Sequence, residues 1–317
     1  MTGTVTIRNP GLLSLIVDPG RRGYSDVGVP SSAALDLYAC EALYALLEDP
    51  GTAVIEVLGP RFALQFTADT TCAIAGARVK AFLDDIPLRP WASFTARKGS
   101  LLRIREVTAG FRYYVGFAGG IDIPAIMGSY TTNLECGFGG FAGRPLRSGD
   151  VLSLAAPRQT DTRIFPDGLI PPMTSPYLLR VTSGPESAYF NSDSLALFWG
   201  KGRQELFTVS TNLNRTGIRL QGKPLVFTAD VPKSIISEGI LPGTVQIPGD
   251  GLPIIMLNER TIGGYARVAV IVRADLDTLA HLKAGDLVCF ALTDLEDASA
   301  RWRKKCSLMK SFPSLCR

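Results

Sequence analysis

A single histidine, His281, serves a chain of 317 residues, and that scarcity excludes several chemistries at once. A Ser-His-Asp triad would have to use it, and no Gly-x-Ser-x-Gly elbow exists to present a serine. A histidine-ligated metal centre falls with it, so no metal site is expected. No Gly-x-x-x-x-Gly-Lys-Ser/Thr run is present, so the chain has no P-loop. Acid-base work is left to Asp, Glu, Lys, Tyr or solvent. The six cysteines, at 40, 72, 136, 289, 306 and 316, never form Cys-x-x-Cys. Their spacing suits neither zinc nor a disulfide scaffold, and reduced thiols of a cytoplasmic protein are expected. No stretch approaches the roughly 18 apolar residues of a membrane span. The first ten residues carry no apolar core of a signal peptide, so no membrane or export association is expected. Charge is nearly balanced, 33 Lys+Arg against 29 Asp+Glu, and no basic stripe is interleaved with aromatics. Nucleic acid is therefore not an expected partner.

What is present is short and β-like. Length alone favours about two domains. Gly and Pro are scattered as turn punctuation around apolar runs at 53–58, 62–67, 101–105, 113–117, 178–182, 254–257 and 268–272. Short β-branched and aromatic runs bounded by Gly, Pro, Asp and Asn indicate a mainly β fold of barrel or sandwich type. The clearest helix is expected over 33–47, capped by Ser31 or Ser32 and stopped by Asp49-Pro50-Gly51. Leu35, Tyr38, Ala39, Ala42, Leu43 and Leu46 give it one buried face. Shorter helices are expected over 187–198 and 276–282. Residues 146–154 (LRSGDVLSL) are echoed by 282–290 (LKAGDLVCF), and Gly59-Pro60 by Gly184-Pro185. These echoes suggest one β unit used twice, divided in the proline-rich stretch 165–176. The expected organisation is a first β domain over 1–170, a second over 171–295 and a basic, solvated tail over 296–317.

Three segments are richer in polar residues and glycine than packing requires. The first contains Asp18, Arg21 and Tyr24, then Pro30, Ser32 and Asp36 at the mouth of the long helix. Free helix N–H groups there would favour an anion or a carbonyl oxygen; an ordinary surface loop with an N-cap fits equally well. The second runs through Asp122, Ser129 and Thr132, with glycines at 119, 120, 128, 137, 139, 140 and 143. Those glycines mark close backbone approaches, to a ligand or to another strand. The third joins Gln246 and Asp250 to Asn258, Gly264 and Tyr265. Pro248-Gly249-Asp250-Gly251 reads as a tight hairpin turn, and in a functional version Gln246 and Asp250 would hydrogen-bond a ligand amide. Arg215 and Arg219, four apart in an extended run, are expected on one face as a clamp for a carboxylate or phosphate.

Taken in order, the segments 18–24, 28–36, 118–122, 128–132, 137–140, 215–220 and 245–253 resemble the 5-oxoprolinase C-subunit family, also called the biotin-dependent carboxyltransferase or urea amidolyase-related family (allophanate hydrolase subunit 2). The resemblance runs from about residue 10 to about 290 and leaves the tail outside. It implies two cyclophilin-like β-barrel domains with a few short helices, and a hydrolase complex that uses ATP to cleave 5-oxo-L-proline to L-glutamate. It also implies partners: the related-fold B subunit of oxoprolinase and a further A subunit. Its alternatives are the carboxyltransferase component of a biotin-dependent urea or amide carboxylase, with biotin as cofactor, and a regulatory binding subunit. Oxoproline, urea and biotin share one N–C(=O) unit. Carried over by position, the family's loop residues fall on Asp18, Arg21, Gly23, Tyr24, Pro30, Ser32, Asp36, Ser129, Thr132, Arg215, Gln246, Asp250, Gly264 and Tyr265. On chemistry, Asp250, Arg215 and Gln246 take the catalytic roles. Asp18, Arg21, Tyr24, Ser32, Asp36, Ser129, Thr132, Arg219, Gly264 and Tyr265 contact substrate. The chain departs from the family pattern at Val17 and Pro19, at Ser32-Ala33-Ala34, and at 259–265, which lacks a residue and a glutamine.

Overall fold

A computed structural model describes residues 3–200 and 205–316 and is mainly β. The chain separates into two compact units: one takes the chain up to Gly23, Ser31–Met173 and the stretch from Ser307 onward, the other Tyr24–Pro30 and Thr174–Cys306. Among the described residues no helix is long and apolar enough to cross a membrane.

The first unit is a nine-stranded curled sheet. Its strands are β1 (Thr4–Pro10), β2 (Leu13–Val17), β3 (Val54–Leu58), β4 (Phe62–Phe66), β5 (Thr70–Leu83), β6 (Ile86–Leu88), β7 (Ala92–Ala96), β8 (Leu101–Phe117) and β9 (Val151–Ser153). They pair in the order β2-β3-β8-β4-β1-β9, and β5 pairs with β6, β7 and β8. The two runs expected at 101–105 and 113–117 are the ends of one 17-residue strand, β8. Its polar middle conceals the continuity, because register shifts against β5 near Arg78 and Lys80 let the long ribbon bend while staying paired. One face of the sheet buries Val5, Ile7, Phe62, Leu64, Phe66, Leu102, Tyr113 and Val115 around a single apolar core.

Against the other face lies α1 (Leu37–Leu47). It starts later than its apolar period suggests, and its cap is Asp36, whose carboxylate accepts the Ala39 N–H at 2.8 Å. Ser32, an expected cap, instead takes a left-handed backbone with φ 47°. Nearly every residue of α1 is buried, not one face alone, because Tyr38, Leu43 and Leu46 share a core with Trp91, Phe165 and Met173.

The second unit closes into a barrel in the order β10-β17-β14-β15-β12-β11-β18. Its elements are β10 (Tyr177–Ser183), α2 (Ser192–Trp199), β11 (Phe207–Leu213), β12 (Gly217–Gln221), β13 (Glu238–Gly239), β14 (Thr244–Ile247), β15 (Ile254–Met256), β16 (Ile262–Gly263), β17 (Ala266–Ile271) and β18 (Leu287–Leu292). β13 and β16 pair only with each other, as a separate two-stranded ribbon. The helix expected over 187–198 is interrupted: Ser187–Tyr189 is a 3-10 turn, and Asn191 then caps α2 by accepting the Ser194 N–H at 2.8 Å. Phe198 of α2 stacks on Phe290 with ring centroids 4.4 Å apart and plugs one side of the barrel. The helix expected over 276–282 is part of a 3-10 segment, Arg273–His281, that ends one residue sooner, and His281 is buried within it.

The sequence echo is a structural one. In the first unit Asp150 accepts the Arg147 N–H at 2.7 Å, and Gly149 donates its N–H to Ile7 O at 2.8 Å. In the second, Asp286 accepts the Lys283 N–H at 3.0 Å, and Gly285 donates to Val209 O at 2.9 Å. Both glycines have φ near +90°, 92° and 88°, which a side chain resists. Each turn therefore feeds the strand that follows in the same way.

The stretch expected as a solvated tail is helix α3 (Leu295–Leu315), and its last turns belong to the core of the first unit. The dense basic run hides one anchor. Phe312 is fully buried, with its ring 5.0 Å from Tyr38 and 4.8 Å from Phe165. Arg163 completes the attachment by donating to Pro313 O at 3.0 Å. Phe312→Ala should therefore destabilise the protein by about 3–5 kcal/mol in urea unfolding. Arg301→Ala, which removes only the exposed pair to Asp297, should cost under about 1 kcal/mol. Equal effects of the two substitutions would refute the anchoring role.

Candidate functional site

The first polar segment of the first unit is a knot tied by one carboxylate. Asp18, at the end of β2, is buried and takes three donors: the Gly20 N–H at 2.7 Å, the Ser129 hydroxyl at 2.7 Å and the Tyr130 N–H at 2.6 Å. Arg21, also buried, donates to Ile126 O and Thr131 O, each at 3.1 Å, and lies 4.6 Å above the Phe138 ring. Thr131 donates to Ser32 O at 2.6 Å, Asn133 to Ser32 Oγ at 3.0 Å, and Thr132 to Ile16 O at 2.9 Å. The structure thus brings Asp18, Arg21, Ser32, Ser129 and Thr132 together. Tyr24 and Pro30, by contrast, fall in the segment grouped with the second unit. The glycines approach the protein's own chain closely: a Cβ on Gly139 would stand 2.2 Å from Thr131 O, and one on Gly140 1.9 Å from Thr132 Oγ1. At the mouth of α1 the anion position is taken by Asp36 itself.

Behind the knot lies a buried polar group that the segments did not reveal. Glu56, with no exposed surface, accepts the Tyr114 hydroxyl at 2.8 Å and the Leu35 N–H at 3.2 Å, and stands 3.7 Å from Arg112 Nε. The Tyr114 oxygen in turn accepts the Asp36 N–H at 2.9 Å. Burial, reinforced by the Glu56 charge, pushes the Tyr114 hydroxyl well above the ordinary tyrosine value, so it stays a donor. A glutamate inside the apolar run Val54–Leu58, and an arginine beside two tyrosines in β8, were the signals that could have found it. Charges are almost never buried unless paired.

In the second unit the site residues follow from register. Ladder pairing sets Arg219 opposite Ile254, Ile254 opposite Gln246, and Gln246 opposite Arg267. Paired residues share a face of a sheet. The neighbouring row, Ile218, Ile255 and Val245, is fully buried in the barrel interior, so the Arg219-to-Arg267 row faces outward. Gln246 is nonetheless buried, because the β13–β16 ribbon passes over it. A Cβ on Gly263 would stand 2.2 Å from Gln246 Nε2. At one end of the row Arg219 donates to Asp250, whose other oxygen takes the Leu252 N–H at 3.1 Å and shapes the turn between β14 and β15. At the other end Arg267 grips Glu186 through two hydrogen bonds, at 2.6 and 2.8 Å, and Glu238 of β13 at 2.8 Å. Those bonds hold the Glu186 carboxyl below its ordinary value. Gly264 and Tyr265 sit at the foot of the ribbon, and Tyr265 is exposed.

Arg215 and Arg219 do not form one clamp. Arg215 precedes β12 in a turn closed by Asn214, whose side chain accepts the Thr216 and Gly217 N–H groups at 2.8 and 3.1 Å. That turn breaks the two-residue alternation on which a shared face depends. Arg215 is buried against Glu259, which accepts its Nε–H at 3.0 Å, whereas Arg219 is part-exposed beside Asp250. Sequence reasoning missed Glu259, Glu186, Glu238 and Arg267; each partner lies far along the chain, and only the fold joins them. Among the described residues no group of three or more His, Cys, Asp or Glu side chains could hold a metal ion.

Breaking a buried pair leaves an uncompensated charge. Arg215→Ala should cost about 3–5 kcal/mol in denaturant unfolding, against under about 1 kcal/mol for Arg219→Ala. Similar losses for both would contradict the buried pairing. A carboxyl whose pKa is depressed by folding adds stability above its unfolded value and loses it as pH falls through the folded one. The Glu186 contribution should therefore begin to fall below about pH 4.5, its ordinary value, and be gone once pH has dropped through the lower folded value. Glu186→Gln should flatten the acid limb of a stability-versus-pH curve, and an unchanged limb would deny the effect.

A sequence profile of the carboxyltransferase domain, subdomains A and B, matches residues 27–292. The C subunit of 5-oxoprolinase from Escherichia coli is 33% identical over 290 residues, covering 91% of each chain. The urea amidolyase of Saccharomyces cerevisiae is 31% identical over 93% of this chain, but this chain spans only 17% of that protein. The crystal structure of the Kluyveromyces lactis urea carboxylase superposes with a TM-score of 0.90 at 25% identity, over 98% of this chain and 29% of that one. With its curled sheet, its closed barrel and these relatives, the chain belongs to the carboxyltransferase subdomain A and B family, which includes the 5-oxoprolinase C subunit and the corresponding part of urea amidolyase.

Proposed function

We propose that the chain is one component of an ATP-dependent 5-oxoprolinase complex that cleaves 5-oxo-L-proline to L-glutamate. The observation that carries this reading is the end-to-end match, 91% of both lengths, to the C subunit of a 5-oxoprolinase. In the reaction, ATP phosphorylates the lactam oxygen and water opens the ring at the C–N bond. ADP, phosphate and glutamate leave, and two water molecules are consumed in all. ATP is a substrate of the complex assembled with the A and B subunits, in a cytoplasmic setting.

Within this chain the outward row of the second barrel supplies the chemistry. The Gln246 amide offers a paired donor and acceptor to an N–C(=O) unit. Asp250, tied by Arg219 to the same row, is the base that takes a proton from water. Arg215 acts from its buried pair with Glu259. An activity loss in Arg215→Ala would therefore mix with instability, and Asp250→Asn is the cleaner probe.

A second reading, carboxyl transfer from a biotin carrier to urea or a similar amide, is favoured by the TM-score of 0.90 to a urea carboxylase. The discriminating assay is ATP-dependent glutamate release from 5-oxoproline by the co-expressed complex. Activity should vanish without this chain and fall about 100-fold or more with Asp250→Asn. An assembled complex that releases no glutamate but carboxylates urea from carboxybiotin would replace the first reading with the second.

A further inference from the structure

Strand β14 has all four of its residues buried, although it is a barrel strand whose outer face would ordinarily meet solvent. The cover over Gln246 is the β13–β16 ribbon, and three features of that ribbon are those of a movable roof. It is outside the barrel ladder, held to itself by the Glu238–Gly263 and Gly239–Ile262 pairs and by two flanking bonds, Ile240 N–H to Thr261 O at 2.9 Å and Ile235 N–H to Gly264 O at 2.8 Å. It has almost no core of its own, since Ile240 alone is buried among residues 231–240. It presses on Gln246 through a glycine: Gly263 leaves just enough room for the amide, which reaches Tyr265 O only at 3.5 Å. Few buried apolar contacts and exposed backbone bonds mark a segment that opens at low free-energy cost.

One contact ties this ribbon to the barrel by charge. Glu238, on β13, is more than half exposed and accepts from Arg267 Nη2 at 2.8 Å, while Glu186 accepts from the same Nη2 at 2.6 Å and from Nε at 2.8 Å. Arg267 remains anchored and charge-compensated by Glu186 when Glu238 lets go. The pair is therefore built so that the ribbon side can release without leaving a buried charge unpaired.

We propose that the β13–β16 ribbon is a lid over Gln246, latched to the barrel by Glu238 on Arg267, and that it opens to admit a small amide to the Gln246 side chain. The choice of ligand rests on the functional reading above; the lid and its latch do not. Opening exposes the one amide side chain of the outward row, and closing excludes water from it.

Two measurements on the full chain test the lid without reference to turnover. In hydrogen exchange, amides of 235–241 and 261–265 should exchange faster than those of β14 and β15. Glu238→Gln should speed the ribbon about two- to fivefold, the range of one part-exposed ion pair, and leave β12 and β15 unchanged. A cysteine placed by Gln246→Cys should be alkylated slowly, and about two- to fivefold faster with Glu238→Gln added. Ribbon amides as protected as those of β14, or rates indifferent to Glu238→Gln, would overturn the proposal. If the exchange behaves as expected but the complex cleaves no lactam, the oxoprolinase reading fails and the lid stands.

Discussion

The barrel ladder of the second unit decides which side chains face the core and which face outward, and the proposed chemistry depends on that division. Because pairing fixes Arg219, Ile254, Gln246 and Arg267 in one row, a single-residue slip would bury two arginines and expose Ile218, Ile255 and Val245. The apolar row holds the register by its burial, and the polar row is carried outward as a consequence. Stability and site geometry are thus one constraint seen from two sides of a sheet.

The buried charges at the two polar sites are met by an opposite charge or by hydrogen bonds. Glu56 has Arg112 and Tyr114, Arg215 has Glu259, and Asp18 is saturated by three donors. These groups position backbone and loops. The glycines around Gly139 and Gly140 belong to the same scheme, since they let the chain fold tightly over Thr131 and Thr132.

Much of the fold was legible because it rests on local pattern. The β runs, the α1 period and the two Leu-x-x-Gly-Asp turns each carry their own signal within a few residues. The rest depended on distant partners. β8 read as two strands because its polar middle is paired only through a bulged ribbon with β5. The C-terminal helix read as a tail because its charge density outweighs one aromatic anchor, Phe312, whose ring partners Tyr38 and Phe165 lie far away in the sequence. The expected arginine clamp failed on a local detail, the Asn214 turn, and on Glu259, 44 residues further along. Gln246 and Asp250 were easier to place near one another, since they lie in or beside one short strand; the Arg219–Asp250 pair joins segments that only the fold brings together.

Recognition of the 5-oxoproline lactam by the Gln246 amide, on the outer wall of the second barrel, is what the proposed function requires. Its most direct measurement is calorimetric binding of 5-oxo-L-proline to the assembled complex, with Gln246→Leu as the comparison, because leucine keeps the bulk and removes both hydrogen-bonding groups. Binding should be measurable and should weaken by about 10- to 100-fold in the variant, while the variant's unfolding midpoint stays close to that of the parent. Unchanged affinity in a correctly assembled Gln246→Leu complex would contradict it.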